Sequence, residues 1–288
     1  MTPARPRKDA QLSADGPAPW VENRPTRGRR AFNLDELWRY RELVGFLALR
    51  DVKVRYKQAV FGGAWAIVQP LAGAAIFTVV FGRLAGVSSG KVPYIVLAFA
   101  GFSLWSYFSV SVNTARESMV ANSSLITKVY FPRLVAPLAS VFPGLIDLAV
   151  ALVLLGAMMA WYRVVPGVAI LTAPLFLGGA VMVAFGTGAL FAALTVQYRD
   201  VQQIFGLIIQ LWLFASPVAY PSTLVHGGWR WLYYVNPMAG VMDGWRWAVI
   251  GGPSLASATL VSAVTAALVL FLGIRVFQRG ESRFADVI

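Results

Sequence analysis

The chain has 288 residues, no cysteine and one histidine, and carries a formal charge of +12 with 58% apolar residues. Its mean hydropathy of +0.64 is that of a membrane protein, since soluble domains average about 45–50% apolar residues. Without cysteine there are no disulfides, no thiol catalysis and no thiolate-held metals. With His226 alone and few clustered carboxylates, no metal or other cofactor is expected.

Residues 1–32 are rich in Pro, Arg, Gly and Ala and lack an apolar period, so a disordered basic cytoplasmic tail is expected. No apolar core of leader-peptide length lies near Met1, so no cleavable signal is expected. A helix is predicted over 33–57. Asn33 and Glu36 have the form of an N-cap with a reciprocal acid. Leu37, Tyr40, Val44 and Leu47 recur at three- and four-residue spacing, while Asp35, Arg39, Glu42 and Arg50 lie toward the other side. Such an amphipathic helix belongs in the membrane–water interface. At its end Arg50, Lys53, Arg55 and Lys57 form a basic inner rim, positioned for lipid phosphates or a cytoplasmic partner, or serving as a surface anchor only.

Six apolar stretches follow within a membrane domain over 58–280: 61–82, 92–115, 134–161, 167–194, 201–219 and 254–276. About 20 residues at 1.5 Å each cross a hydrocarbon core of roughly 30 Å, so the fold class is an all-α integral membrane protein with six transmembrane helices. Of the 25 Lys and Arg, 13 lie in residues 1–60, three in 116–133, one at Arg199 and three in 275–283. Only Arg83, Lys91, Arg163, Arg230 and Arg246 occupy the alternate connections. The excess marks the cytoplasmic side, which puts both termini and the short tail 281–288 inside. With no folded basic domain, the charge is not a nucleic-acid footprint.

Region 220–253 holds Trp229, Trp231, Tyr233, Tyr234, Trp245 and Trp247, punctuated by Pro221, Pro237 and Pro253. The apolar piece after Pro237 runs about 14 residues, roughly 21 Å as a helix, too short to cross. A re-entrant helical hairpin on the outer side is predicted, turning at Asn236-Pro237, and such backbone is tolerated only where protein or a watery cavity covers it. Its aromatics have two readings: interfacial anchors, or a substrate path of flat faces for sugar rings formed by Trp229, Trp231, Tyr233, Tyr234 and Trp245, with Arg246 among them. Asp147 also has two. It is a polar point on a substrate path or subunit contact, or a charge paired internally and nearer the interface than its position in the span indicates. Ala180, Ala184 and Gly188 form a small-residue packing stripe. Gln69-Pro70 and Ser216-Pro217 read as kinks or stops.

Tests for an enzyme fail. The one Gly-Lys pair, Gly90-Lys91, has Ala85 and Val92 where a phosphate loop needs glycine and a hydroxyl, and no HExxH occurs. Asn122-Ser-Ser124 has the form of a glycosylation acceptor, but the charge distribution places it inside.

Several segments together resemble type-2 ABC exporter permeases of the polysaccharide and polyol-phosphate branch, whose cargoes are O-antigen (lipopolysaccharide), capsule, teichoic acid or galactan precursors. They are Arg50-Asp-Val-Lys-Val-Arg-Tyr-Lys57 leading to Phe61-Gly-Gly-Ala-Trp65-Ala-Ile-Val-Gln-Pro70, and Asn122-Ser-Ser-Leu-Ile-Thr-Lys128-Val-Tyr-Phe-Pro-Arg133. To these are added Tyr198-Arg-Asp200, Ser216-Pro-Val-Ala-Tyr-Pro221, and Tyr234-Val-Asn-Pro237-Met with Arg246 nine residues after the proline. They cover about 35–280 and leave the tail outside.

The resemblance implies a homodimer bound to two copies of a separate P-loop ATPase, in the bacterial cytoplasmic membrane. Segment 117–131 would dock on that ATPase through Ser123, Ser124, Leu125, Ile126 and Lys128. Spans one, two and five of both protomers would line a pore capped by the hairpin. The cargo would be a polyprenyl-diphosphate-linked glycan whose diphosphate meets the basic rim 50–57. Two alternatives stand beside this: a type-2 permease for a drug or small lipid, and a membrane-embedded glycosyl- or acyltransferase.

Overall fold

A computed structural model describes residues 34–57, 62–90, 92–129, 131–198 and 200–287. The predicted tail 1–32, the Asn33 cap, Phe61, Lys91, Tyr130 and Arg199 lie outside the described residues, as do the side chains of Asp35, Glu36 and Trp65. Among the described residues every regular element is helical.

The predicted interface helix forms in two pieces, α1 (Leu34–Arg39) and α2 (Arg41–Lys57), separated by a turn at Tyr40. The face read from spacing is the face that packs. Leu37, Tyr40, Leu43 and Val44 surround a small core of Leu47, Phe131, Val135 and Ala139. Trp38, Phe46 and Leu49 leave a second apolar face exposed, the kind that an interface helix turns toward acyl chains.

The first span, α3 (Gly62–Phe77), runs through Pro70 rather than stopping there. It then widens into a π-helical turn over Thr78–Leu84, in which the Thr78 hydroxyl donates to the Ala74 carbonyl at 2.6 Å. The second, α4 (Tyr94–Ala121), extends six residues beyond the predicted end at 115 and so carries Arg116 and Glu117 in helix. Helix α5 (Ser123–Lys128) follows at once.

The third span is broken into α6 (Val135–Ala139) and α7 (Pro143–Trp161). Pro143 lacks an N–H, so the helix cannot continue unbroken, and freed carbonyls need other donors. Hydroxyls of α4 supply them: Thr114 donates to Ser140 at 2.9 Å and Ser111 to Val141 at 3.2 Å. The fourth span enters through a 3-10 turn, Val168–Thr172, into α8 (Ala173–Gln197).

Helix α9 (Val201–Ala215) has 15 residues, about 22 Å at 1.5 Å each. Among the described residues five other helices are long and apolar enough to cross a membrane; the predicted fifth crossing falls on this shorter helix, which ends at Ala215 with Ser216 as its C-cap before Pro217. Then come α10 (Trp229–Tyr233), α11 (Pro237–Ile250) and α12 (Thr259–Val287).

The densest packing joins α8 to α12 and to α4, with α11 against α12, α8 and α4. Small residues permit it, because in lipid the gain comes from close backbone approach. Ala180 and Ala184 are buried as the stripe predicts, and a Cβ on Gly188 would overlap Ala115 of α4. A second contact was not read from sequence: a Cβ on Gly186 would meet the Leu270 backbone of α12 at 2.6 Å, and one on Gly273 would strike the Gly186 carbonyl.

Gly186→Val is expected to destabilise the purified protein by about 1–3 kcal/mol through overpacking. Gly178→Ala, where a Cβ meets nothing within 4 Å, should leave thermal unfolding in detergent unchanged. Equal melting temperatures for both variants would refute the close contact.

Candidate functional site

The backbone between α9 and α11 leaves helical geometry twice, and each departure is held by side chains from elsewhere. Over Ser216–Pro221 the chain is non-helical, so its carbonyls need donors from elsewhere. Arg246 of α11, 3% exposed, donates Nη1 to the Tyr220 carbonyl at 3.0 Å and Nη2 to that of Val218. Between them the Tyr94 hydroxyl donates to the Ala219 carbonyl at 2.6 Å. Gly101 makes this approach possible, since a Cβ there would overlap both the Val218 carbonyl and the Arg246 guanidinium. Two segments singled out separately in the sequence, 216–221 and Arg246, are thus bonded to each other.

The second departure is the turn before Pro237. Asn236 caps α11 by accepting from the Met238 N–H at 3.0 Å, and its Oδ1 also accepts from Trp212 Nε1 at 2.8 Å. Its Nδ2 donates to Ser216 Oγ at 2.8 Å and to the Ala215 carbonyl at 3.1 Å. From α12, Ser262 donates to the Tyr234 carbonyl at 2.8 Å and accepts from the Gly240 N–H at 3.1 Å. The end of α9 and the start of α11 are therefore one bonded node.

The aromatics expected to share one surface divide instead. Trp229 and Trp231 are 74% and 56% exposed, Tyr233 is half-buried, and Tyr234 and Trp245 face inward. The physical reason is that both buried rings find partners for their polar atoms. Trp245 Nε1 donates to the Ala100 carbonyl at 3.1 Å, and the Tyr234 hydroxyl donates to Asp243 Oδ2 at 2.5 Å. Asp243, given no role from sequence, is thereby the acceptor for Tyr234.

A different set of rings assembles where the first span meets α9. Phe77 and Phe81 stack at 5.5 Å and 9°. Residues four apart are neighbours on one helix face, so the two rings meet across a turn. Phe214 lies 6.2 Å from Phe77, and Tyr220 lies 6.4 Å from Phe81. Tyr233 joins through its hydroxyl, 3.3 Å from that of Tyr220. Phe214 is exposed, and Phe77, Phe81 and Tyr220 are partly so. Sequence reading missed this ladder; its one local signal was the four-residue spacing of Phe77 and Phe81.

At the other end of the bundle, Asp147 sits in the second turn of α7, level with the end of α2. Arg55 Nη2 lies 2.8 Å from its carboxylate, and the Tyr56 hydroxyl donates to it. Asp147 is thus a charge paired within the chain. Burial first, then the hydrogen bond and charge of Asp147, push the Tyr56 phenol up to about 12. It stays a donor at every ordinary pH. Arg50 is paired with Asp51 at 2.6 Å, while Lys53 and Lys57 stay exposed. Arg50 and Arg55 border a cavity of about 470 Å³ against Asn113 and Glu117 of α4.

In α5, Leu125 and Ile126 pack onto the Leu47 core shared with α1 and α2. Ser123 is half-buried, whereas Ser124 and Lys128 are exposed, flanked by exposed Val120 and Val129. Arg133 closes the same end, its N–H donating to Glu281 Oε1 at 3.2 Å and its guanidinium to the Glu281 carbonyl. Buried Arg116, given no role from sequence, lies 4.7 Å over the Phe205 ring and bonds Asn113 Oδ1 at 3.0 Å. Among the described residues no group of acidic or histidine side chains could hold a metal.

The model of the family described as ABC-2 type transporter matches residues 42–250. Two proteins from Klebsiella pneumoniae named O-antigen export system permease protein RfbA are 27% and 26% identical over 259 residues, spanning 89% of this chain and 98% of theirs. A protein of the same name from Myxococcus xanthus is 28% identical over 264 residues, or 88% of this chain and 98% of its own.

Arg246→Met is expected to cost about 2 kcal/mol or more, each orphaned buried carbonyl being worth about 1–3, with Arg246→Lys recovering part. Faster proteolytic cleavage within 216–224 reads this out; a cleavage rate like the parent's would contradict the node. Asp147→Leu should destabilise by about 1–3 kcal/mol and Asp147→Asn by less, because the amide can still accept from Tyr56. Indistinguishable unfolding curves for the two would discount the pairing.

Proposed function

The chain belongs to the ABC-2 type transporter family, transport proteins whose power comes from an ATPase subunit, and from that premise we propose that it is the membrane subunit of a polysaccharide exporter. The observation that carries this is the similarity, across nearly the whole of both chains, to permeases named for O-antigen export. In this reading the cargo is a polyprenyl-diphosphate-linked glycan crossing the bacterial cytoplasmic membrane. Two copies of the chain form the pore and bind two copies of the ATPase, with both termini cytoplasmic.

The docking surface is α5. Its half-buried residues Leu125 and Ile126 rest on the α1–α2 core, so a push on exposed Ser124 and Lys128 reaches the interface helix without passing through a flexible joint. From α2 the Arg55–Asp147 pair carries the displacement to α7. The cavity beside Arg50 and Arg55 supports the rim 50–57 as the place where a diphosphate enters, with Lys53 and Lys57 the exposed cations. The glycan path is assigned to the exposed rings Trp229 and Trp231 and to the ladder Phe77, Phe81, Phe214, Tyr220 and Tyr233. Flat aromatic faces there suit sugar rings. Tyr234, Trp245 and Arg246 serve that path by fixing the backbone behind it.

Two measurements test the reading. Deleting the gene should abolish surface or secreted polysaccharide with drug resistance unchanged; retained polysaccharide would sink it. Ser124→Glu with Lys128→Glu should lower export about tenfold, the effect of roughly 1.4 kcal/mol of lost docking free energy, at an unchanged membrane level of the protein. Undiminished export and ATP hydrolysis would move the docking surface elsewhere.

A further inference from the structure

A cavity of about 410 Å³ lies at the α10–α11 end of the bundle, walled by the loop after the π-helical turn, the segment after α9, α10–α11 and the loop after α11. It is separated from α5 by the length of α4, 28 residues, or about 42 Å. At roughly 30 Å³ per water it has room for about a dozen waters, and a hexose ring has a similar number of heavy atoms. It also falls within the roughly 300–1,000 Å³ usual for small-molecule sites.

The lining is chemically mixed in a particular way. Hydroxyls reach it from separate segments, Ser222 and Thr223 on one wall and Ser254 on another, and Asp243 adds a carboxylate. Hydroxyls both donate and accept, and a carboxylate accepts from neighbouring O–H groups, so together they match the vicinal hydroxyls of a sugar. Two guanidiniums, Arg230 and Arg246, face this single carboxylate in the same cavity, so one positive charge is in excess. Arg246 Nη1 and Nη2 are taken up by backbone carbonyls, but its Nε is buried and has no partner. Arg246 therefore offers the cavity its charge, while Arg230, which is exposed, supplies N–H donors to a bound acceptor.

We propose that this cavity binds one acidic sugar residue, a uronic-acid type ring. Its hydroxyls would be read by Asp243 and the Ser and Thr side chains, and its carboxylate held by Arg230 and Arg246. Binding stands apart from export; only its use, as a hold on the emerging glycan, rests on the function proposed above.

The test is titration of the purified full-length protein in detergent with glucuronate, glucose and inorganic phosphate, followed by calorimetry and by fluorescence of the nearby exposed tryptophans. Glucuronate should bind saturably at about millimolar concentration and more tightly than glucose or phosphate. Arg230→Gln, at an exposed position that no fold contact described above depends on, should weaken glucuronate about tenfold, the loss of roughly 1.4 kcal/mol. Arg163→Gln, outside the cavity, should not. Glucose binding as tightly as glucuronate, phosphate binding as tightly as glucuronate, or no saturable binding at all would each overturn the proposal. Absent binding with export still dependent on the gene removes this site alone. Binding present in a strain whose polysaccharide survives deletion removes the export reading alone.

Discussion

Backbone that leaves helical geometry inside a lipid-embedded protein must find its hydrogen bonds within the protein, because no water is there to supply them. The segments 216–221 and 234–236 are two such places. Donors at a distance in sequence satisfy them: Arg246 and Tyr94 for the first, Ser262 for the second, with Asn236 joining the two. Remove these bonds and neither the end of α9 nor the start of α11 has a defined position. Phe214, Tyr220, Trp229 and Trp231 all hang from that framework. The exposed rings can present polar-compatible faces outward only because other side chains have met the backbone's needs behind them.

Helix packing divides the chain into parts with different jobs. Helices α4, α8 and α12 approach closely at Gly186, Gly188 and Gly273, and with α11 packed against all three they make a tightly interlocked frame. The first span and α9 keep broad apolar faces uncovered, with Ile76, Val79, Ile204, Leu207, Leu211 and Phe214 exposed. Uncovered apolar faces on this scale are what a lipid bilayer or a second protomer covers. The aromatic ladder sits where these two less-embraced helices meet, so it is carried by the elements with the least internal packing to hold them still.

What could be read from the sequence was local or compositional. The face of α2 was legible because Leu37, Tyr40, Val44 and Leu47 repeat at a helix's own period, and the same side chains pack on Leu47 in the folded chain. The all-helical class followed from long apolar runs, and the stop at Ser216-Pro217 from proline's missing N–H. Pairings far apart in sequence were not legible. Tyr56 and Asp147 are 91 positions apart and Trp245 and Ala100 are 145 apart, and nothing local announces either. Tryptophan and tyrosine are the least readable residues here, since an amphipathic ring suits a buried site with one hydrogen bond as well as an exposed one. Trp245 and Trp231 took opposite options. The shortness of α9 was hidden because Pro217, Val218 and Ala219 prolong the apolar run after the helix has ended.

The position of α12 has a consequence for how the molecule is made. It leaves the ribosome after every other helix described, yet α8 and α11 pack against it, Ser262 completes the 234–236 turn, and Glu281 meets Arg133 across 148 positions. Until α12 has been made, the groove at Gly186 is open and the carbonyl of Tyr234 lacks its donor. Vectorial synthesis thus delivers the keystone after the helices it locks, and the nascent chain must wait in the membrane, incompletely bonded, until α12 arrives.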